Sequence, residues 1–262
     1  MIIDTHAHLD FPQFGNKRGQ SLNLEKIGEV VKRAQDAGVG KIINIGCNLK
    51  ASQDSITISE TFENVFGTVG VHPCDVNELT DENIKKLYDY AKSSEKVVAI
   101  GEVGLDYFHK DVAIDKQKEF FRKQIDLAKE VSKPLIIHCR DAYEDTMEVL
   151  DADKPENLVF HCYSGDLEFA QGLWNRGYLT SFTGIVTYPK VWELLEVVKE
   201  CPMDMFMVET DCPFLAPQAY RGQTNEPAFV TEVVRKIAEV KGMSYKEIER
   251  ISTENAERFF GI

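Results

Sequence analysis

The chain has 262 residues, a length at which an α/β barrel commonly forms one domain, and its 43% hydrophobic content is enough for a full core. No apolar run approaches the roughly 18 to 20 residues that a membrane helix needs, so no membrane contact is expected. The net charge of −13 disfavours a protein that wraps long duplexes, because counterion release requires clustered Lys and Arg.

Short runs rich in Val and Ile alternate with helical patterns along the chain. Eight runs predict strands, at 1–8, 41–46, 65–72, 97–103, 135–139, 158–162, 178–184 and 205–211. Several of them are apolar at successive positions, which is typical of parallel strands that are covered on both faces.

Amphipathic segments with helical spacing lie between these strands, at 24–34, 121–128, 230–237 and 248–260. Gly38, Gly177 and Gly242 stand where helices should stop. The alternation of strand and helix implies a parallel sheet, and eight strands favour a closed (β/α)8 TIM barrel over an open doubly wound sheet. We therefore predict an α/β protein with one domain spanning 1–262.

The N-terminus and the cysteines both favour the cytosol. The segment 1–6 has no basic stretch followed by an apolar run, so no signal peptide is expected. The six cysteines lie far apart and form no C-x-x-C pair, which indicates reduced thiols rather than disulfides or a cysteine-based zinc site. A cytoplasmic protein is the resulting expectation.

Histidines and two carboxylates fall at the C-terminal ends of the predicted strands. His6 and His8 end the first strand, His72 the third, Glu102 the fourth, His138 the fifth, His161 the sixth and Asp211 the eighth. That end of a barrel carries the active site in enzymes of this fold. A lone histidine at a strand end is more often a packing residue, but this concentration of imidazoles and carboxylates predicts a metal site.

Several motifs contain these residues and occur in a fixed order. They are DTHAHLD at 4–10, GVHP at 70–73, GEVGLD at 101–106, IHCR at 137–140, FHCYSG at 160–165, ETDCP at 209–213, RGQTNEP at 221–227 and NAERFF at 255–260. The first resembles the opening of amidohydrolase-type metal barrels. Together they resemble the TatD family of metal-dependent deoxyribonucleases over essentially the whole chain.

The resemblance implies a site for two divalent metal ions per chain. It assigns His6, His8 and Asp211 to the first ion, His138 and His161 to the second, and Glu102 to a bridge between them. Related hydrolases use a carboxylated lysine as the bridge, but no Lys ends the fourth or fifth strand here. Mixed imidazole and carboxylate ligands are compatible with Zn, Mn, Ni, Co or Mg, and the sequence does not choose among them.

A metal pair suits phosphodiester hydrolysis, because it lowers the pKa of a shared water and stabilises both oxygens of an in-line displacement. Asp211 could accept the proton of that water, and Glu102 is the second candidate catalytic residue. The resemblance implies removal of nucleotides from the 3′ ends of DNA, with single-stranded ends as the partner. Two alternatives stay open: hydrolysis of an acyl ester such as D-aminoacyl-tRNA, and a non-enzymatic, metal-stabilised binding module.

The candidate substrate-binding residues are His72, Arg140 and Arg221. Both arginines lie near predicted strand ends and could bind phosphate oxygens with paired N–H groups, although a surface ion pair is an equal alternative. His72 could contact the substrate or support a ligand. Tyr163 is expected to pack at the barrel rim rather than stack on a base, and His109 is expected to be a solvated loop residue.

Overall fold

The computed structural model describes residues 1–16 and 21–262, and within these ranges eight strands alternate with nine α-helices. The strands are β1 Ile2–Ala7, β2 Val39–Asn44, β3 Val65–Val69, β4 Val97–Asp106, β5 Leu135–Arg140, β6 Leu158–Phe160, β7 Leu179–Phe182 and β8 Phe206–Val208. They belong to one sheet in the order β1-β2-β3-β4-β5-β6-β7-β8. The predicted (β/α)8 barrel is thereby confirmed.

The helices bury the apolar stripes that the sequence predicted. They are α1 Leu24–Asp36, α2 Leu49–Thr61, α3 Asp81–Ser93, α4 Ile114–Val131, α5 Tyr143–Asp153, α6 Leu167–Trp174, α7 Trp192–Glu200, α8 Val230–Lys241 and α9 Tyr245–Phe260. Gly38, Gly177 and Gly242 follow three of them with φ of 92°, 78° and 65°, a left-handed conformation that ends a helix at little steric cost. Among the described helices, none is long and apolar enough to span a bilayer.

The chain divides into two compact units. The first comprises Met1–Asn44 with Cys162–Gly261, and the second comprises Ile45–His161 with Ile262. In the first unit β1 pairs in parallel with β2 and β7 pairs in parallel with β8, while an isolated bridge joins Ala7 to Cys212. In the second unit β3, β4, β5 and β6 pair in parallel in sequence order.

Several predicted strands were too long at their C-terminal ends. β1 ends at Ala7, β3 at Val69, β6 at Phe160 and β8 at Val208, so His8, His72, His161 and Asp211 lie in the loops that follow rather than on the strands. At two of these ends the backbone turns sharply, because Cys162 and Asp211 have φ of 46° and 53°. Non-glycine residues rarely adopt this conformation, and it tends to occur at functional sites.

Candidate metal centre

The first unit brings His6 and His8 next to Asp211. Their Nε2 atoms lie 3.7 Å and 3.4 Å from Oδ1 of Asp211, and the two imidazoles are almost fully buried. Donors bound to one zinc ion at about 2.1 Å with tetrahedral geometry stand roughly 3.4 Å apart. Each histidine is thus at a distance from Asp211 that is compatible with a shared cation, and the donor chemistry of these side chains fits a divalent metal.

Backbone hydrogen bonds hold this trio together. The amide of Asp211 donates to the carbonyl of His6, and the amide of His8 donates to the carbonyl of Cys212, both over 2.9 Å. The β1 backbone and the loop after β8 thus continue as a short parallel ladder beyond the last paired residues of β8. This ladder determines the positions of the two imidazoles relative to the Asp211 carboxylate.

Asp4 and Thr210 support the same loop, although no sequence pattern predicted a role for either of them. The amide and hydroxyl of Thr210 donate to Oδ1 and Oδ2 of Asp4 over 2.8 Å and 2.6 Å. Burial raises the pKa of the Asp4 carboxyl to about 8, although its hydrogen bonds with Thr210 oppose the shift. Asp4 thus fixes the residue that immediately precedes Asp211.

The second unit centres on Glu102. Its Oε1 atom lies 2.8 Å from Nδ1 of His138 and 2.7 Å from Nε2 of His161, and the carboxylate is buried. Burial alone would raise the pKa of Glu102, but the imidazole of His161, together with His72 and His138, holds it well below its ordinary value. Glu102 is therefore ionised within a shell of nitrogen donors, as a metal ligand has to be.

Asp106 lies on the far side of His138, and sequence reasoning missed its role. Its Oδ2 is 3.0 Å from Nε2 of His138, and it is 1% exposed. Hydrogen bonding with His138 and with His109 lowers the pKa of the Asp106 carboxyl despite its burial, which acts in the opposite direction. A carboxylate that binds the outer nitrogen of an imidazole fixes the orientation of the ring and raises its basicity as a ligand.

The signal for Asp106 was present in the sequence. It ends the GEVGLD motif, four positions after Glu102, and β4 continues to Asp106 rather than stopping at the predicted residue 103. Gly104 pairs with His138 and Asp106 with Arg140 across the β4–β5 ladder. An even spacing on an extended strand places Glu102 and Asp106 on the same face.

Gly104 permits the close approach of β4 and β5 beside His138. Its φ is 141°, and a Cβ atom there would lie 2.0 Å from the carbonyl oxygen of His138. No side chain can occupy that position without moving the backbone that carries His138. The glycine is therefore a geometric requirement of the Glu102 and His138 arrangement.

His72 belongs to the same cluster. Its Nε2 is 3.8 Å from Oε1 of Glu102, its ring lies 4.2 Å from that of His138, and its Nδ1 accepts a hydrogen bond from the amide of Cys74. Burial, with a further contribution from the neighbouring His138, lowers the pKa of His72 to about 3. The ring is therefore neutral, and His72, Glu102 and His138 offer ligand atoms that lie within 4.8 Å of one another.

Each candidate phosphate-binding arginine lies over an aromatic ring. The guanidinium carbon of Arg140 is 3.9 Å from the centroid of Phe108, and that of Arg221 is 4.4 Å from the centroid of Tyr188. Such stacking holds the planar group in place and leaves its N–H donors at the edges.

The two remaining expectations concern Tyr163 and His109. Tyr163 is 3% exposed and its hydroxyl donates to the carbonyl of Asp166, which confirms the packing role. His109 is an exposed loop residue, as expected, with 47% of its side chain accessible, and its Nδ1 also lies 3.0 Å from Oδ2 of Asp106.

Known proteins resemble this chain throughout its length. The sequence profile of the family described as "TatD related DNase" matches residues 3–261. The "uncharacterized metal-dependent hydrolase YabD" of Bacillus subtilis (strain 168) is 40% identical over 264 residues, with 100% of both chains covered. The "uncharacterized metal-dependent hydrolase YcfH" of Escherichia coli (strain K12) is 33% identical, with 100% of this chain and 96% of that protein covered.

A solved structure shows the same fold. The crystal structure of YjjV, a TatD homologue from Escherichia coli K12, superposes with a TM-score of 0.92 at 28% sequence identity and covers 100% of this chain and 98% of its own.

Proposed function

Because the chain belongs to the TatD family of metal-dependent hydrolases, we propose that it hydrolyses phosphodiester bonds and releases nucleotides from the 3′ ends of DNA. The observation that carries the proposal is the convergence of two imidazoles on Oε1 of Glu102, at 2.8 Å and 2.7 Å. A buried carboxylate surrounded by histidines is a donor set for a catalytic metal rather than a packing arrangement.

The ligand assignment follows the family resemblance. We propose that His6, His8 and Asp211 hold one divalent ion, that His138 and His161 hold a second, and that Glu102 binds both. Imidazole and carboxylate donors suit Zn, Mn, Ni or Co and, less well, Mg. When bound, such ions supply an acidified water and neutralise charge on a phosphoryl group.

The protein's own groups account for the remaining chemistry. The Asp211 carboxylate accepts the proton of the attacking water. Arg140 and Arg221 bind phosphate oxygens through the N–H edges that their aromatic partners leave accessible. We propose that His72, which is neutral beside Glu102, contacts the substrate as a hydrogen-bond partner.

The test is turnover on single-stranded oligonucleotides labelled at the 5′ or the 3′ end, across a series of divalent metals. The proposal predicts early loss of a 3′ label and a ladder of shortened 5′-labelled products. A parallel assay with an aminoacyl ester distinguishes the acyl-hydrolase alternative from the proposed nuclease. Metal-dependent cleavage of the ester without cleavage of DNA would overturn the proposal, and absence of both activities would favour a binding module.

We expect the metal-free protein to remain folded and to lose its activity. The eight-stranded core is apolar and does not depend on ions in the way that a zinc finger does. Circular dichroism after chelation should match that of the untreated protein, and turnover should return when metal is added back. Activity that survives complete chelation would contradict the metal centre, and unfolding would contradict the independence of the core.

Arg140→Ala and Arg221→Ala should each lower kcat/KM on DNA roughly 10- to 100-fold, because each removes a charge-assisted hydrogen bond worth about 1.5–3 kcal/mol. Metal content should stay at the wild-type level. Arg250→Ala is the matched control, since Arg250 forms an exposed helical ion pair with Glu254 and such pairs contribute little. Unchanged kcat/KM in both arginine variants would mean that Arg140 and Arg221 do not contribute to substrate binding.

A further inference from the structure

Phe108 is an exposed aromatic residue beside the Glu102 cluster. It is 55% exposed, although a phenylalanine ring gains free energy by burial. It follows β4 two residues after Asp106, and one face of its ring is covered by Arg140, two residues after His138. At about 3.3 Å per strand residue, the two-residue step from His138 to Arg140 along β5 corresponds to roughly 7 Å of backbone, close to the length of one nucleotide.

The backbone that carries this ring is fixed on both sides. The amide of Tyr107 donates to the carbonyl of Arg140 over 2.9 Å, and the hydroxyl of Tyr107 donates to Asp145 over 2.5 Å. The amide of His109 donates to Asp106 over 2.8 Å. Phe108 is therefore presented by a loop that is hydrogen-bonded at each neighbouring residue, so little entropy is lost when a ligand packs on the ring.

The contact between Phe108 and Arg140 indicates the chemistry of the ligand. The guanidinium of Arg140 lies over the ring at 3.9 Å and places a positive charge next to an apolar surface. An aromatic surface that adjoins a cation is the combination with which proteins bind an unpaired nucleotide, because the base stacks while the cation attracts the phosphate. Tyr163 cannot provide this surface, since it is buried.

We propose that Phe108 is a stacking platform for an unpaired base next to the scissile phosphodiester, and that it gives the enzyme its preference for single-stranded, base-bearing ends. This inference rests on the proposed nuclease function. In the proposed nuclease, Phe108 acts as a specificity residue, because the ring binds the base and does not touch the reacting phosphate. In duplex DNA the same base is stacked on its neighbours and is not available to the ring.

The experiment compares single-stranded oligonucleotides that carry a normal base or an abasic sugar at each of the last three 3′ positions. Base stacking on an aromatic side chain corresponds to roughly a 5- to 100-fold effect. The ratio of kcat/KM on base-bearing DNA to kcat/KM on abasic DNA should reach that range for the wild type at one position. It should fall close to one in Phe108→Leu and be retained in Phe108→Trp.

Trp192→Leu is the matched control, because Trp192 is also exposed, at 73%, and should leave the ratio unchanged. Quenching of an oligonucleotide that carries 2-aminopurine at the preferred position, measured at equilibrium in chelator, should weaken in Phe108→Leu but not in Trp192→Leu. A wild-type ratio near one at all three positions, or an unchanged ratio in Phe108→Leu, would overturn the platform while the nuclease function stands. Failure of the wild type to cleave any of these DNAs would instead overturn the proposed function.

Discussion

Glu102→Gln should lose at least one equivalent of metal and reduce turnover by orders of magnitude, with little change in melting temperature. The substitution keeps the volume of the side chain and removes the negative charge that we propose two cations share. Without that charge the two ions would repel each other with less compensation. Metal content after dialysis, turnover and thermal unfolding measure the three effects separately.

Glu249→Gln provides the control for this prediction. Glu249 is buried to a similar degree and neutralises the N-terminal ammonium over 2.9 Å, with no part in either histidine cluster. Its variant should keep full metal content and full turnover. If Glu102→Gln behaved in the same way, with two equivalents bound and normal activity, Glu102 would not be the bridging ligand and the mechanism built on it would be wrong.

Gly104→Ala should destabilise the fold by about 3 kcal/mol or more, an unusually large cost for one methyl group. Part of the cost is backbone strain at a φ of 141°, and part is the collision of the new Cβ with the carbonyl oxygen of His138 at 2.0 Å. Equilibrium unfolding in urea gives the free energy of unfolding directly.

Gly172→Ala is the matched substitution. Gly172 lies within α6, and its added Cβ would meet the guanidinium of Arg176 at an ordinary 3.7 Å. Alanine should therefore stabilise that helix by about 0.5–1 kcal/mol. If Gly104→Ala and Gly172→Ala had equal free energies of unfolding, β4 and β5 would be able to separate near His138 without loss of stability.

The strands and the main candidate metal ligands could be predicted because each has a recognisable pattern in the local sequence. A buried parallel strand contains a continuous apolar run, and β4 illustrates this at residues 97–100, which are all apolar and buried. His6 and His138 were recognisable because histidine is scarce in this chain and both occur at the ends of such runs.

The strand ends and the supporting residues could not be predicted in the same way. The left-handed backbone at Cys162 and Asp211 occurs where their amides donate to distant partners, Oε1 of Glu209 and the carbonyl of His6, and neither residue type predicts it. Asp4 appears in the sequence as an ordinary charge, and only its even spacing from Glu102 distinguishes Asp106 from one. Their roles depend on partners, Thr210 and His138, that lie 206 and 32 positions away along the chain.

The hydrogen bonds between Asp4 and Thr210 have a consequence for biosynthesis. At about 5 to 20 residues per second, a separation of 206 positions corresponds to roughly 10 to 40 s of translation. During that interval His6 and His8 have left the peptidyl-transferase centre, but Asp211 does not yet exist. Glu102, His138 and His161 lie within one continuous segment and are complete earlier. The two donor clusters are therefore synthesised one after the other. On the ligand assignment proposed above, the donors within residues 45–161 are available to a metal before the C-terminal strand has joined the N-terminal one.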